Sequence, residues 1–516
     1  MSRDLGWCVG TGGALIAALA AAWLAAAGWL EPTHLRFWAA VTMAGGVPGF
    51  AREELVLAYP HLWLLAALVA AFGGETLAAT GLAVLAAACV GIATALWFAL
   101  LRRDGWSTGW SLLFTGLCLA HPYGLWIVTR GGMDSVALLG ASLLLVAASR
   151  LARSVEPRHM VILALVLGVG LLLDPRWVFF ALAMVPFLPF LLGRRWLDEA
   201  APGLLIVAVI PLLGGLVFLA TVGSIFAGRP FAFLAEAGWR LAPSAALAGA
   251  TEAEGATTLW LLVATLAGTP LLGLVLWRSR GRRRAVLLLL GSLPVAGLVA
   301  ATGLAAGWHG LDFLHLVLVT GVLAIAQARR LASPPVVVGL VVAGHLGGWL
   351  AMADAGSQHV ATWQAALART GPAAELFAAE RALAGFLAGG PATLLDDRAG
   401  FPLVVALGVG QPLVLPPSPA FAGQLLRPLP TIEQIALPAP AVALAVGDRI
   451  ARRYPELWAT GLPGYRLVYD DARWRVWRRL AADDDTGRVR CLGAGSGGSG
   501  EADGLRASSC PRLEPF

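Results

Sequence analysis

The sequence predicts an α-helical polytopic membrane protein with about 11 transmembrane helices and a small carboxyl-terminal α/β domain on the extracytoplasmic side. Composition is the first observation behind this prediction. Hydrophobic residues make up 58% of the 516 positions and charged residues only 13%, whereas soluble domains carry roughly a quarter charged residues. Apolar stretches long enough to cross a bilayer also recur from Trp7 to Leu350. The placement of arginine then gives these stretches a consistent orientation.

The basic residues are interpreted as topology signals. All 37 are arginine, the net charge is +6, and 14 of the arginines lie in five short clusters between apolar stretches. Such clusters are retained in the cytoplasm, where they face anionic lipid, so we expect membrane lipids and no nucleic acid as partners. The clusters fall at residues 102–103, 150–158, 194–195, 278–284 and 329–330.

If every cluster is cytoplasmic, the apolar stretches between clusters must leave and return in pairs. Tyr59–Phe72 is about 14 residues long and too short to cross comfortably, so we expect an interfacial helix on the outer face. The protein is then a multi-pass protein of the cell (inner) membrane, with a cytoplasmic amino terminus and everything after about Ala351 outside the cytoplasm. The eleven predicted spans are 7–30, 76–101, 107–129, 134–148, 160–173, 177–192, 202–222, 258–277, 285–304, 313–326 and 334–351.

Three parts are predicted along the chain: a transmembrane domain over 1–352 with a large first outer loop at 31–75, an extracytoplasmic α/β domain over 353–480, and a disordered Gly/Ser-rich tail over 481–516. Cys491 and Cys510 would be able to pair if the tail lies in an oxidising compartment.

The outer domain is expected to contribute no catalytic residues. Its predicted elements are a helical segment Thr362–Leu387, strands Ala392–Leu395 and Ala441–Val446, a helix Ile450–Trp458, and a hairpin of Tyr465–Tyr469 with Trp474–Trp477 that turns at Asp470 and Asp471.

The first outer loop contains the densest group of candidate functional side chains. Glu31, His34 and Arg36 follow the first span, and Glu53 and Glu54 precede the interfacial helix, which opens with the sequence Tyr-Pro-His-Leu. A carboxylate at the membrane boundary can act as a general base. The structural alternative is that these acids are solvated residues at helix ends, where they suit the helix dipole.

These motifs, taken in their order along the chain, resemble the GT-C superfamily of membrane glycosyltransferases, which use polyprenyl-phosphate sugars and include protein mannosyltransferases and aminoarabinose transferases. The segment from Tyr59 resembles the family's interfacial helix with its second proline replaced by His61. The sequence Leu-Ala-His-Pro at 119–122, followed by Met-Asp-Ser at 133–135, resembles the proline-broken third helix and the start of the fourth. The segment 168–176 resembles a family turn whose basic residue, here Arg176, is near the lipid-linked donor.

The resemblance implies a membrane glycosyltransferase that moves a sugar from a polyprenyl-phosphate donor to an extracytoplasmic acceptor, which is a lipid, a protein or a glycan. The family's acidic pair after the first helix is matched in position by Glu31 and in type by Glu53 and Glu54, so these three are the candidate catalytic residues. No nucleotide, cofactor or obligatory metal is expected, because arginine can neutralise the single phosphate that leaves.

Further candidates for substrate binding lie at the predicted outer ends of later spans. Arg130 and Asp134, like Asp174 and Arg176, either serve the donor or simply pair with each other across a break in the helix. His309, Asp312 and His315 form a group that is interpreted as a polar cap rather than a metal site. The alternatives to an enzyme are a transporter, whose broken helices would also carry buried charges, and a non-catalytic envelope scaffold.

Overall fold

The computed structural model describes residues 3–26, 75–130, 132–174, 176–192, 194–227, 258–303, 310–355, 358–369, 378–407, 413–415, 419–440 and 448–480, together with the single residues 230 and 443. The chain divides into two compact units, Met1–Leu376 and Phe377–Phe516. The predicted outer loop at 31–75 lies outside the described residues except for its final residue, and the predicted tail at 481–516 lies wholly outside them.

The described residues of the first unit form helices joined by short turns, and the described part of each of the eleven predicted spans lies on a helix or a pair of helices. This confirms the predicted fold class, an α-helical polytopic membrane protein. The helices are α1 Arg3–Ala26, α2 Glu75–Arg103, α3 Thr108–Ala120, α4 Pro122–Arg130, α5 Gly132–Arg153, α6 Pro157–Leu173, α7 Trp177–Met184 with a 3-10 turn Val185–Leu191, α8 Arg194–Ala227, α9 Thr258–Gly268, α10 Pro270–Arg278, α11 Arg282–Gly303, a 3-10 turn Gly310–Phe313, α12 Leu314–Ala328, α13 Pro334–Ala353 and α14 Gln358–Ala368.

Six of the described helices are long and apolar enough to cross a membrane, and the number rises to eight if each of two bent pairs is one span. The predicted total of eleven therefore remains a prediction. Proline opens several helices, including α6, α10 and α13, because a first-turn residue needs no amide donor. Ser107 caps α3 by accepting a hydrogen bond from the Trp110 amide.

Two spans are broken near their middles. Helices α3 and α4 meet at His121 with a bend of 66°, and α9 and α10 meet at Thr269 with a bend of 78°. A proline follows each break, and proline removes a backbone hydrogen bond and clashes with the preceding turn. The first break agrees with the proline-broken helix that the sequence suggested, and the second was not predicted.

Burial separates a central group of helices from a peripheral one. The most apolar windows of α5 and of the segment containing α12 are 72% and 89% buried, whereas those of α1 and α8 are 22% and 17% buried. Apolar helices that remain this exposed are suited to contact lipid. A hydrogen bond of 2.9 Å from the Trp97 indole to the Ser142 hydroxyl joins α2 to α5 in the centre.

The second unit is a small α/β domain, as predicted. Its elements are α15 Ala378–Leu387, β1 Thr393–Leu394, α16 Asp397–Leu407, β2 Leu413–Val414, α17 Pro419–Leu425, β3 Gln434–Pro438, α18 Arg449–Arg453, α19 Glu456–Ala459, β4 Tyr465–Asp470 and β5 Trp474–Arg479. The strands form one sheet in the order β2-β1-β3-β5-β4. Strand β1 pairs in parallel with β2 and β3, and the remaining pairs are antiparallel.

The hairpin of β4 and β5 confirms the predicted turn at Asp470 and Asp471. The Asp471 carboxylate accepts hydrogen bonds from the amides of Arg473 and Trp474, which explains why an acidic residue suits this turn. The predicted helix Ile450–Trp458 is instead two short helices, α18 and α19, because Pro455 lies between them. The predicted strand Ala441–Val446 lies outside the described residues except for Ala443.

Candidate functional site

Five ionisable side chains from separate parts of the first unit meet in one buried group, which we call the ion cluster. Arg130 ends α4, and Asp134 lies in the first turn of α5. Asp174 caps the end of α6, and Arg176 precedes α7. Asp312 lies in the 3-10 turn before α12. Four of these residues were candidates from the sequence, and the structure brings all four together.

Arg176 lies at the centre of the ion cluster. Its Nε and Nη2 atoms are both 2.7 Å from Asp174 Oδ2, and its Nη1 atom is 3.2 Å from Asp134 Oδ1. The same Nη1 donates to the carbonyl oxygen of Asp312. Only 1% of the side chain is exposed. A planar guanidinium reaches these partners from three separate nitrogen atoms in a rigid fork, whereas an ammonium has a single nitrogen.

Asp174 also explains the local turn between α6 and α7. Its Oδ1 atom accepts a hydrogen bond of 2.8 Å from the Arg176 amide. The carboxylate therefore binds both the backbone and the side chain of the same residue. A short acidic side chain commonly fixes a turn in this manner. Asp174 and Arg176 therefore stabilise the turn, and Arg176 also contacts Asp134 and the Asp312 carbonyl.

Arg130 lies beside two carboxylates of the ion cluster. Its Nη1 atom is 2.9 Å from Asp134 Oδ2 but 3.7 Å from Asp312 Oδ1, and the second distance exceeds that of a hydrogen bond. The guanidinium also lies over the Trp126 ring, 5.0 Å from its centroid, where a cation–π contact is favourable. Asp134 is shared by both arginines, so it connects the two halves of the ion cluster.

The ion cluster has an excess of acid. Three carboxylates against two guanidinium groups leave one negative charge within these five residues. All five are buried in the described structure, and a buried charge is costly unless it is paired. The five residues therefore form a fixed electrostatic site in which each charged group lies beside one of opposite sign.

The ion cluster and the arginine clusters lie at opposite ends of the same helices. Asp134 is in the first turn of α5, and Arg150 and Arg153 are in its last turn. Asp312 lies two residues before the start of α12, and Arg329 immediately follows its end. A helix of about 20 residues is about 30 Å long, close to the thickness of the hydrocarbon core. If the arginines are cytoplasmic, as predicted, the ion cluster faces outward.

His315 adjoins this site on α12. Its ring is 5.8 Å from that of Phe180, and its buried Nε2 atom has no hydrogen-bond partner among the described residues. Within the part of the chain that the structure describes, no group of three or more His, Cys, Asp or Glu side chains is arranged to hold a metal ion. The described site contains paired carboxylates and guanidinium groups.

The remaining sequence candidates lie outside the described residues: Glu31, His34, Arg36, Glu53, Glu54 and His309. Asp312 is the member of the ion cluster that was not predicted as a substrate-binding residue. The sequence indicated only a polar cap of Asp312 with His309 and His315. The contact of Asp312 with Arg130 joins positions 182 residues apart, and no local spacing encodes such a pair. The one available signal was its position at the predicted outer end of a span.

Comparison with solved structures gave a structural likeness. A crystal structure of ArnT from Cupriavidus metallidurans bound to undecaprenyl phosphate is similar to this chain, with 16% sequence identity and a TM-score of 0.49, over 90% of this chain and 98% of ArnT. No protein-family model and no curated protein sequence matches the chain significantly.

Proposed function

We propose that this protein is a GT-C-like glycosyltransferase that moves a sugar from a polyprenyl-phosphate donor to an acceptor on the outer side of the membrane. The observation that supports this most is the buried ion cluster at the helix ends opposite the arginine clusters. A lipid-linked donor needs its tail among the helices and its phosphate at their outer ends. The motifs of the sequence suggest the same class of reaction.

The proposed reaction needs one base and one group that neutralises the leaving phosphate. The acceptor oxygen forms a bond to the anomeric carbon, the bond from that carbon to the phosphate oxygen breaks, and the acceptor proton passes to a carboxylate. The polyprenyl phosphate leaves as a stable anion that needs no proton. Glu31 is the first choice as the base, with Glu53 and Glu54 as the alternatives. The identity of the sugar and of the acceptor is left open in this proposal.

Arg130 is proposed as the described residue that contacts the donor phosphate. Its contact with Asp312 is long at 3.7 Å, so a phosphate oxygen that replaced this carboxylate would gain a shorter, charge-assisted hydrogen bond. Arg176 already has three partners and is proposed as a positioning residue that fixes Asp134, which in turn orients Arg130. His34, Arg36 and His309 are the further candidates for contact with the phosphate.

The test is sugar transfer by membranes that contain the full-length protein and radiolabelled polyprenyl-phosphate sugars. We expect Arg130→Gln to reduce transfer about 100-fold or more, as the loss of a charged donor at a transition state typically does. Arg130→Lys should recover part of the rate, because it keeps the charge and loses the fork. Arg158→Gln is the matched control, since Arg158 is 72% exposed and pairs only with Glu156 among the described residues.

Three results would count against the proposal. If Glu31→Gln and the double variant Glu53→Gln/Glu54→Gln both transfer at the wild-type rate, the base is assigned wrongly. If Arg130→Gln transfers normally while its thermal stability is unchanged, Arg130 does not bind the phosphate. If the wild-type protein consumes no donor, the enzyme proposal fails as a whole.

A transporter is the alternative function, and the two broken helices are what favours it. The breaks at His121 and Thr269 border a common pocket, and transporters build their midplane sites from such breaks. This pocket, however, is only about 30 Å³, which is room for about one water molecule. Its size favours a packing role for the described breaks over a substrate site.

A further inference from the structure

The arginine-bearing helix ends enclose a second site, which we call the basic cavity. Its volume is about 400 Å³, within the range that small-molecule ligands occupy. It is formed where α5 ends, α11 begins and α12 ends, beside the turn that follows α2. Five arginines line it: Arg153, Arg280, Arg282, Arg283 and Arg330.

The charge of the basic cavity is strongly positive. Asp104 is the one carboxylate among its lining residues in the described part of the chain, and it forms an ion pair with Arg153. Five guanidinium groups against one carboxylate leave four positive charges around a single cavity. Arginine favours phosphate because its fork matches two phosphate oxygens.

A buried hydroxyl also points to a ligand. Ser149 on α5 lines the basic cavity and is only 6% exposed, yet its Oγ atom has no hydrogen-bond partner among the described residues. Buried polar atoms are nearly always hydrogen-bonded, so each exception calls for an explanation. A phosphate oxygen in the cavity would accept the hydrogen bond that Ser149 can donate.

Part of the wall is apolar, and this indicates where the ligand comes from. Val286 on α11 and Leu323 and Ala326 on α12 line the cavity between the two helices. A free phosphate ion has no apolar group to bury against such a surface, whereas the glycerol and the first methylene groups of a lipid could pack against it. Basic pockets between transmembrane helices are suited to anionic lipid headgroups.

We propose that the basic cavity binds the phosphate headgroup of an anionic membrane lipid, at the end of the helices opposite the ion cluster. Arginines at helix ends orient a membrane protein wherever they lie. A role in orienting the protein does not require five arginines to line one cavity. Nor does it explain the buried Ser149 hydroxyl, which has no hydrogen-bond partner among the described residues. The site is separate from the proposed transferase chemistry and does not depend on it.

The test is lipid binding by the full-length protein, purified in neutral detergent and titrated with cardiolipin, while native mass spectrometry counts the bound lipids. Phosphatidylcholine is the zwitterionic comparison. We expect the double variant Arg282→Gln/Arg330→Gln to bind cardiolipin about tenfold more weakly or worse than the wild type. Ser149→Ala should weaken binding by a smaller factor, because it removes one donor and no charge.

Arg158→Gln/Arg284→Gln is the matched control, since it removes the same charge from arginines that do not line the cavity. Equal weakening by both double variants would show that only overall charge attracts the lipid, and the proposal would be wrong. Equal binding of phosphatidylcholine and cardiolipin would also overturn it. A parallel titration with inorganic phosphate distinguishes the sources. If phosphate at millimolar concentration displaces no cardiolipin, the lipid headgroup is supported, and if phosphate binds the wild type while cardiolipin does not, the lipid assignment is overturned.

Discussion

Arg176 is almost fully buried, and its environment explains why arginine rather than lysine occupies this position. The side chain is 1% exposed and contacts Asp174, Asp134 and the Asp312 carbonyl through three nitrogen atoms. Each partner comes from a different helix end. The residue therefore joins the turn before α7 to the starts of α5 and α12, and the geometry of Arg130 depends on it through Asp134.

Arg176→Lys is the variant that tests this role. Lysine keeps the charge but has a single nitrogen, so it leaves at least one of the buried carboxylates poorly paired. We expect the full-length protein in detergent to lose about 3 kcal/mol of stability, as when one partner of a buried ion pair is lost. The measurement is the midpoint of thermal unfolding followed by tryptophan fluorescence.

Arg158→Lys serves as the control for Arg176→Lys. Arg158 pairs with Glu156 on the surface, with 72% of its side chain exposed, and such pairs contribute about 1 kcal/mol or less. If both variants unfold at the same temperature as the wild type, the fork geometry of Arg176 has no structural importance.

At the scale of elements, the His121 side chain links the two helix breaks to α13. His121 Nε2 lies 3.1 Å from the Gly268 carbonyl and 3.2 Å from the Gly344 carbonyl, and both oxygens can only accept, so Nε2 carries the proton. The Tyr123 amide donates to Nδ1 over 3.2 Å. One histidine thus satisfies carbonyl groups at the break and on α13, which is required inside a membrane.

Gly347→Ala tests how closely α13 approaches the second break. A methyl group at this position would lie 2.2 Å from the backbone oxygen of Ala267, and a backbone atom cannot move aside cheaply. We expect a loss of about 1–3 kcal/mol from this overpacking, measured as a lower unfolding midpoint of the full-length protein. Gly339→Ala on the same helix is the control, because no atom lies within 4 Å of its methyl group. Equal midpoints for the two variants would mean that the close contact is relieved at no cost.

At the scale of the whole molecule, the helices were predictable because their apolar runs are long and bounded by arginine. The second break was missed although Pro270 is visible in the sequence, because proline also occurs at ordinary helix starts. Strand β3 was missed for another reason: all five of its residues are buried, so it has no alternation to detect. The pairing of Asp312 with Arg130 depends on tertiary packing and has no local signal.

The orientation of the molecule remains a prediction, and reporter fusions can decide it. A reporter placed after Arg103 should stay in the cytoplasm, and one placed after Leu350 should be exported, because arginine is retained on the cytoplasmic side. Activity of an export-dependent enzyme such as alkaline phosphatase, compared with a fluorescent protein that folds in the cytoplasm, gives the two readouts. An exported reporter at Arg103 or a cytoplasmic one after Leu350 would contradict the eleven-span topology.

Helix α5 is held at three levels along its length. Asp134 fixes its first turn in the ion cluster, Ser142 accepts a hydrogen bond from Trp97 near the middle, and Arg153 pairs with Asp104 at the end. A piston-like slide by one turn, about 5.4 Å, would break all three contacts together. Any motion that admits a large amphiphile must then come from elsewhere, for example from α8, whose most apolar window is only 17% buried. We therefore expect α5 to keep its position while more exposed helices move.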